Sequence, residues 1–70
     1  MSIEIQYKTL RKQLNMTQME LSAAIGEEVS RIWLLEQGFI HIVDPRAVER
    51  ITRKLQDLCE KKELQELEML

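Results

Sequence analysis

Gly26, Gly38 and Pro45 are the only glycines and the only proline in the chain, so almost every other position must sit in backbone that ordinary L side chains adopt readily. Between these three points apolar residues recur at helical spacing, and no stretch alternates as a strand does. The expected fold is therefore all-α, a compact bundle of four to five helices. A first helix from about residue 5 to residue 14 puts Tyr7, Leu10 and Leu14 on one side. Thr17 followed three residues later by Glu20 is a capping box, in which each side chain accepts the other residue's free backbone N–H. It opens a second helix through Leu21 and Ile25, ended by Gly26. A third runs from about residue 28 to residue 37 and stops at Gly38. Asp44 before Pro45 starts a fourth, because Asp caps helices and proline suits the first helical position. That helix carries Val48, Ile51, Leu55 and Leu58 inward, and Leu64, Leu67 and Leu70 extend it or form a short fifth helix.

A chain of 70 residues has room for one core and buries only ~60% of the surface its unfolded form exposes. One domain over residues 1–70 is expected, with stability that benefits from assembly. Cys59 is the only cysteine, which excludes an internal disulfide and a cysteine-rich zinc site. With no apolar leader in the first ten residues, the lone thiol points to a reducing, cytoplasmic setting. No segment approaches the ~20 apolar residues needed to span a bilayer, so no membrane partner is expected. The net charge of -2 is unevenly spread: eight basic residues face seven acidic ones up to Gln56, whereas residues 57–70 carry two lysines and five acids. A DNA-binding domain is usually more basic, because releasing counterions from phosphates supplies much of its affinity.

A helix, a short turn with glycine and a second helix of about ten residues make a helix-turn-helix unit, here at about 17–37, whose second helix can enter a DNA major groove. The string Leu10-Arg11-Lys12-Gln13-Leu14-Asn15-Met16-Thr17-Gln18-Met19-Glu20-Leu21, then Ile25-Gly26, Ile32 and Leu35-Glu36-Gln37-Gly38, carries several fixed spacings. It resembles the lambda-repressor-like, Cro-type helix-turn-helix family of phage and bacterial transcriptional regulators, without a gap from about Tyr7 to Gly38 and more loosely in the fourth helix. The resemblance implies that Gln18 bonds a phosphate and that Thr17 and Gln37 contact the DNA backbone. It also implies a partly buried ion pair between Arg11 and Glu36 that ties the first helix to the third, a structural role because a lone buried charge would be costly. The positions matching the family's base-reading face are Glu28, Val29, Ser30, Trp33 and Leu34.

Departures from the family pattern concentrate on that face. With Ile32, Leu35 and Glu36 turned inward, Ser30, Trp33, Leu34 and Gln37 lie opposite them, and none is Arg or Lys. Direct readout favours Arg for guanine and Asn or Gln for adenine. Glu27 and Glu28 stand where the recognition helix begins, where acids suit the helix dipole and repel DNA. The following loop, Phe39-Ile40-His41-Ile42-Val43, holds four apolar residues where the family often has basic ones. Either Phe39, Ile42 or Val43 plugs the core, or the loop joins Trp33 and Leu34 as an apolar surface for a protein.

Two functional readings follow. In the first the chain regulates transcription by binding operator DNA as a dimer: Gln18 holds phosphate, Ser30, Arg31 and Gln37 make polar contacts, and Val29, Trp33 or Leu34 touch thymine methyls. In the second it is a protein-binding module of antirepressor type, taking a protein such as a repressor on Trp33, Leu34, Phe39, Ile40 and Ile42. Catalysis has no supporting feature, and neither a small-molecule substrate, a cofactor nor a metal is expected. His41, the only histidine, has no cysteine or second histidine near it in sequence. Cys59 reads as a small core or interface hydrophobe. Arg46, Arg50, Arg53 and Lys54 form either a solvated face with partners such as Glu49 and Asp57 or a set of phosphate contacts. The row Leu64, Leu67, Leu70 packs back on the core or forms a dimer seam.

Overall fold

The computed structural model describes residues 6–69. Four helices appear in order: α1 (Tyr7–Gln13), α2 (Gln18–Ile25), α3 (Val29–Glu36) and α4 (Pro45–Glu68), with a 3-10 turn at Ile40–Ile42 before α4. No strand occurs among the described residues, so the all-α expectation holds. Residue 5, where the first helix was expected to begin, and Leu70 lie outside the described residues.

Each boundary has a local cause. The Thr17 hydroxyl accepts the Glu20 N–H at 3.1 Å and the Glu20 carboxylate accepts the Thr17 N–H at 2.9 Å, completing the capping box. Gly26 ends α2 in the left-handed region at φ 66°, which costs a residue with a Cβ roughly 1–2 kcal/mol. Asn15 takes the same conformation at φ 56° after α1, the kind of site that Asn tolerates better than most side chains. Asp44 accepts the Arg46 N–H at 2.9 Å, and Pro45 occupies the first turn of α4.

Helices α1 and α2 each pack against both α3 and α4. Between them lie Tyr7, Leu21, Ile25, Ile32, Leu35, Val43, Ala47, Ile51 and Leu55, all buried, with Leu10, Leu14, Met16, Leu34, Val48 and Leu58 partly buried around them. Of the apolar loop after α3, Val43 is the residue that plugs the core, while Phe39, Ile40 and Ile42 stay exposed. The Tyr7 hydroxyl shares a 2.8 Å hydrogen bond with the Thr52 hydroxyl, which satisfies the polar end of a buried ring and registers α1 against α4.

Helix α4 is continuous over 24 residues, about 36 Å at the usual rise, and outruns the core. Its last core contact is Leu58, after which the Lys62 ammonium donates to the Gln13 carbonyl at the end of α1. Of the two alternatives for the leucine row, packing back on the core is not met at Leu64 and Leu67. No glycine or proline interrupts the helix, so Leu64 and Leu67 project beyond the bundle at 54% and 64% exposure.

Replacing Gly26 with Ala is expected to cost about 1 kcal/mol, because the added Cβ meets nothing within 4 Å and only the backbone strain counts. Thermal unfolding should show a fall of about 4–8 °C, with Gly26→Asn recovering part of it. An unchanged midpoint would mean that the turn can relax out of the left-handed region.

Candidate nucleic-acid interface

Helix α2, the turn at Gly26, Glu27 and Glu28, and helix α3 form the helix-turn-helix arrangement, and polar contacts hold α3 at both ends. At its carboxy-terminal end Glu36 accepts two hydrogen bonds from the Arg11 guanidinium, from Nε at 2.7 Å and from Nη2 at 3.0 Å. A third Arg11 nitrogen donates to the Met16 carbonyl at 2.9 Å. The Glu36 side chain is 1% exposed, so this pair is desolvated and fork-shaped, as the family resemblance implies. Burial alone would raise the Glu36 carboxyl, but the hydrogen bonds from Arg11 and Gln18 outweigh it and hold the group below its ordinary value.

Gln18 is drawn into the same network, its amide nitrogen donating to Glu36 at 3.2 Å. That amide carries a second N–H beyond this bond. Thr17 uses its oxygen in the cap and keeps its hydroxyl proton for donation.

At the other end of α3, the acidic turn differs from the sequence expectation. Glu27 is buried, and its carboxylate accepts from Arg50 Nε at 3.0 Å and Nη2 at 3.3 Å and from Lys54 Nζ at 3.3 Å, with Arg31 Nη1 at 3.6 Å. The hydrogen bond from Arg50 is the main reason its pKa lies below the ordinary carboxylate value. Glu27 therefore presents no bare acid to a ligand. Arg50 and Lys54 pair with it across 23 and 27 residues of sequence, and not with Glu49 or Asp57 as expected. Lys54 also donates to the Ile25 carbonyl at 2.9 Å, and the Ser22 hydroxyl donates to the Glu27 carbonyl, so the turn is braced from α2 and α4. Glu28 is the exposed acid of the turn.

On the outer side of α3, Ser30, Trp33 and Gln37 are exposed together, and Val29 and Arg31 are half-buried. Leu34, expected on this face, is half-buried as Val29 and Arg31 are, and part of its side chain packs against the core. Trp33 and Phe39 stack in a tilted pair with ring centroids 6.4 Å apart. With Ile40 and Ile42 they make an apolar surface next to the polar one, Trp33 being 47% exposed and Ile42 64%.

The remaining singled-out residues lie elsewhere. His41 is exposed on the 3-10 turn. Cys59 is half-buried, its thiol close to the Leu10 carbonyl at 3.8 Å and pushed up in pKa by burial. It borders an open groove of about 300 Å3 between the end of α1 and α4, remote in sequence from α3. No group of metal-ligating side chains comes together among the described residues, and no helix among them is long and apolar enough to cross a membrane. No known protein family, curated protein or solved structure matches the chain.

Sequence reasoning found Arg11, Glu36 and the cap, and missed the ring of cations on Glu27. The available signals were the i,i+4 spacing of Glu27 and Arg31 and the run of four basic residues, Arg46, Arg50, Arg53 and Lys54, with Glu49 as the one acid among them.

Glu20, Glu27 and Glu36 all have lowered pKa values in the folded chain. Their contribution to stability is full above the ordinary carboxylate value of ~4.3 and disappears as the pH falls through the lowered folded-state values. Urea midpoints should therefore be flat from neutral pH to about 5 and drop below it. Glu36→Ala at neutral pH should cost about 3 kcal/mol, since Arg11, only 12% exposed, loses its counter-ion. A loss under about 0.5 kcal/mol would show that solvent reaches the pair freely.

Proposed function

We propose that this protein is a helix-turn-helix regulator that binds duplex DNA through α3, as a dimer. The observation that carries the reading is the environment of Glu27. On sequence its charge stood against a polyanion, and in the fold it lies beneath Arg31, Arg50 and Lys54, so the start of α3 is cationic despite an overall charge of -2. Helix-turn-helix proteins bring this end of the second helix to the groove. Ser30 and Gln37 then offer polar contacts to base edges, and Val29 and Trp33 offer apolar contact to thymine methyls. Gln18 and Thr17 keep one donor each for phosphate. Leu34, half-buried and partly packed on the core, offers only part of its side chain for such contact. The exposed Leu64 and Leu67 on the projecting end of α4 are the surface proposed for the second copy.

A specific observation favours a second reading, in which the partner is a protein. Trp33, Phe39, Ile40 and Ile42 are all at least 44% exposed and adjoin one another in sequence or by stacking. Patches of this kind are typical of interfaces whose binding energy comes from a few aromatic anchors.

Trp33 is the single tryptophan and reports on both surfaces. Titrating the protein with a random-sequence duplex at low salt should change its fluorescence, and raising the salt should reverse the change, as counterion release requires. No response at micromolar protein and low salt would sink the DNA reading, because non-specific binding by such proteins is already in the 10⁻⁴–10⁻⁶ M range at physiological salt. Trp33→Ala separates the readings further. It should leave the salt dependence of DNA binding intact and should abolish binding to a protein partner.

A further inference from the structure

A structural ion pair that locks the turn to α4 needs one cation, yet three converge on the Glu27 carboxylate. One carboxylate neutralises one of them, so the cluster carries an excess of two positive charges. The Glu27 side chain is 4% exposed, whereas those of Arg31, Arg50 and Lys54 are 36%, 42% and 39% exposed. The cations therefore cover the carboxylate and turn their other edges to solvent. Arg50 spends two of its five N–H donors on Glu27, and Lys54 divides its ammonium between Glu27 and the Ile25 carbonyl. Donors remain on all three side chains. Asp44 also attracts Arg50 electrostatically, but its carboxylate accepts the Arg46 N–H as the cap of α4.

We infer that Arg31, Arg50 and Lys54 together form a phosphate-binding site beside the amino-terminal end of α3, with Glu27 as the buried anchor that gathers them. The carboxylate stays in place when the anion arrives, because swinging it out would leave a desolvated cavity and uncover like charge. A phosphate meets guanidinium forks already fixed by their inner hydrogen bonds, which reduces the side-chain ordering that binding requires. The inference deepens the DNA reading and rests on it for the carrier of the phosphate, a duplex backbone flanking the groove that α3 enters. The anion chemistry of the cluster stands by itself.

Two titrations of the intact protein test this. Inorganic pyrophosphate should shift the amide NMR signals of residues 27–31 and the guanidinium signals of Arg31 and Arg50. The double variant Arg50→Gln, Lys54→Gln should weaken that binding at least tenfold, while Arg53→Gln, an exposed cation on the same helix, should leave it unchanged. In each single variant Glu27 keeps two cations, so Arg50→Gln and Lys54→Gln provide folded proteins should the double variant unfold. With duplex DNA, the slope of log affinity against log salt should lose about 0.9 for each of the two contacts removed. Equal weakening of pyrophosphate binding by Arg53→Gln would reduce the cluster to diffuse charge and overturn the site. DNA binding with an unaltered slope and no pyrophosphate shifts would overturn the site and leave the DNA reading standing. Pyrophosphate shifts at the cluster without any DNA binding would uphold the site and remove the duplex as its ligand.

Discussion

Helix α3 is eight residues long and fully buries only Ile32 and Leu35, so two side chains cannot by themselves fix how it is turned. Its orientation depends on the carboxylates at its ends: Glu36, gripped by Arg11 from α1 and Gln18 from α2, and Glu27, gripped mainly from α4. A rotation that swapped the inner and outer faces would strand a desolvated charge, at a cost of several kcal/mol. Burying an ion pair contributes little net stability compared with an apolar pair of the same size. What it contributes here is a unique setting of one short helix against three others. The outward presentation of Ser30, Trp33 and Gln37 follows from that setting.

Features that act within a few residues were legible in the sequence. Thr17 with Glu20, Gly26, and Asp44 with Pro45 each meet a backbone requirement of their own neighbourhood, and all occur where the pattern puts them. The Arg11–Glu36 pair spans 25 residues and was reached only through the family resemblance. In the Glu27 cluster Arg31 lies four residues away, but Arg50 and Lys54 reach across 23 and 27 residues and had no such guide. Helical periodicity says which side of α3 or α4 a residue occupies but not which residues of the two helices meet. The same limit shows at Leu34: a wheel centred on Ile32 and Leu35 puts it outside, while in the fold it is half-buried against the core. Ala47, fully buried at the start of α4, also escaped notice, because a small side chain adds little to an apolar stripe and matters only where helices approach closely.

The long α4 does two jobs at opposite ends. Its first half packs Ala47, Ile51 and Leu55 into the core and turns Arg50 and Lys54 toward the Glu27 turn. Its last turns carry Glu63, Glu66 and Glu68 together with exposed Leu64 and Leu67. A helix that stopped at Leu58 would complete the same core. Beyond Leu58 the helix touches α1 through Cys59 and Lys62, and its last turns add surface, whose apolar part lies apart in sequence from the aromatic pair at Trp33 and Phe39.

That division also bears on how an acidic chain could take the polyanionic ligand proposed for it. Net charge acts at a site only through charges near enough to be felt, and at physiological ionic strength the Debye length is about 8 Å. Along α4 the rise of 1.5 Å per residue puts Glu63 about 13 Å from Lys54 and Glu68 farther still, so these carboxylates are largely screened from the cluster. Asp57, one turn beyond Lys54, Glu60 a turn further, and Glu49 and Asp44 near Arg50 are the closer acids. Glu27 lies at the centre of the cluster and is more than offset by its three cations, which leaves Glu28 as the exposed acid of the turn. A net charge of -2 is thus the sum of an acidic end and a cationic turn, and the phosphate proposed to bind at the start of α3 would meet the second of these.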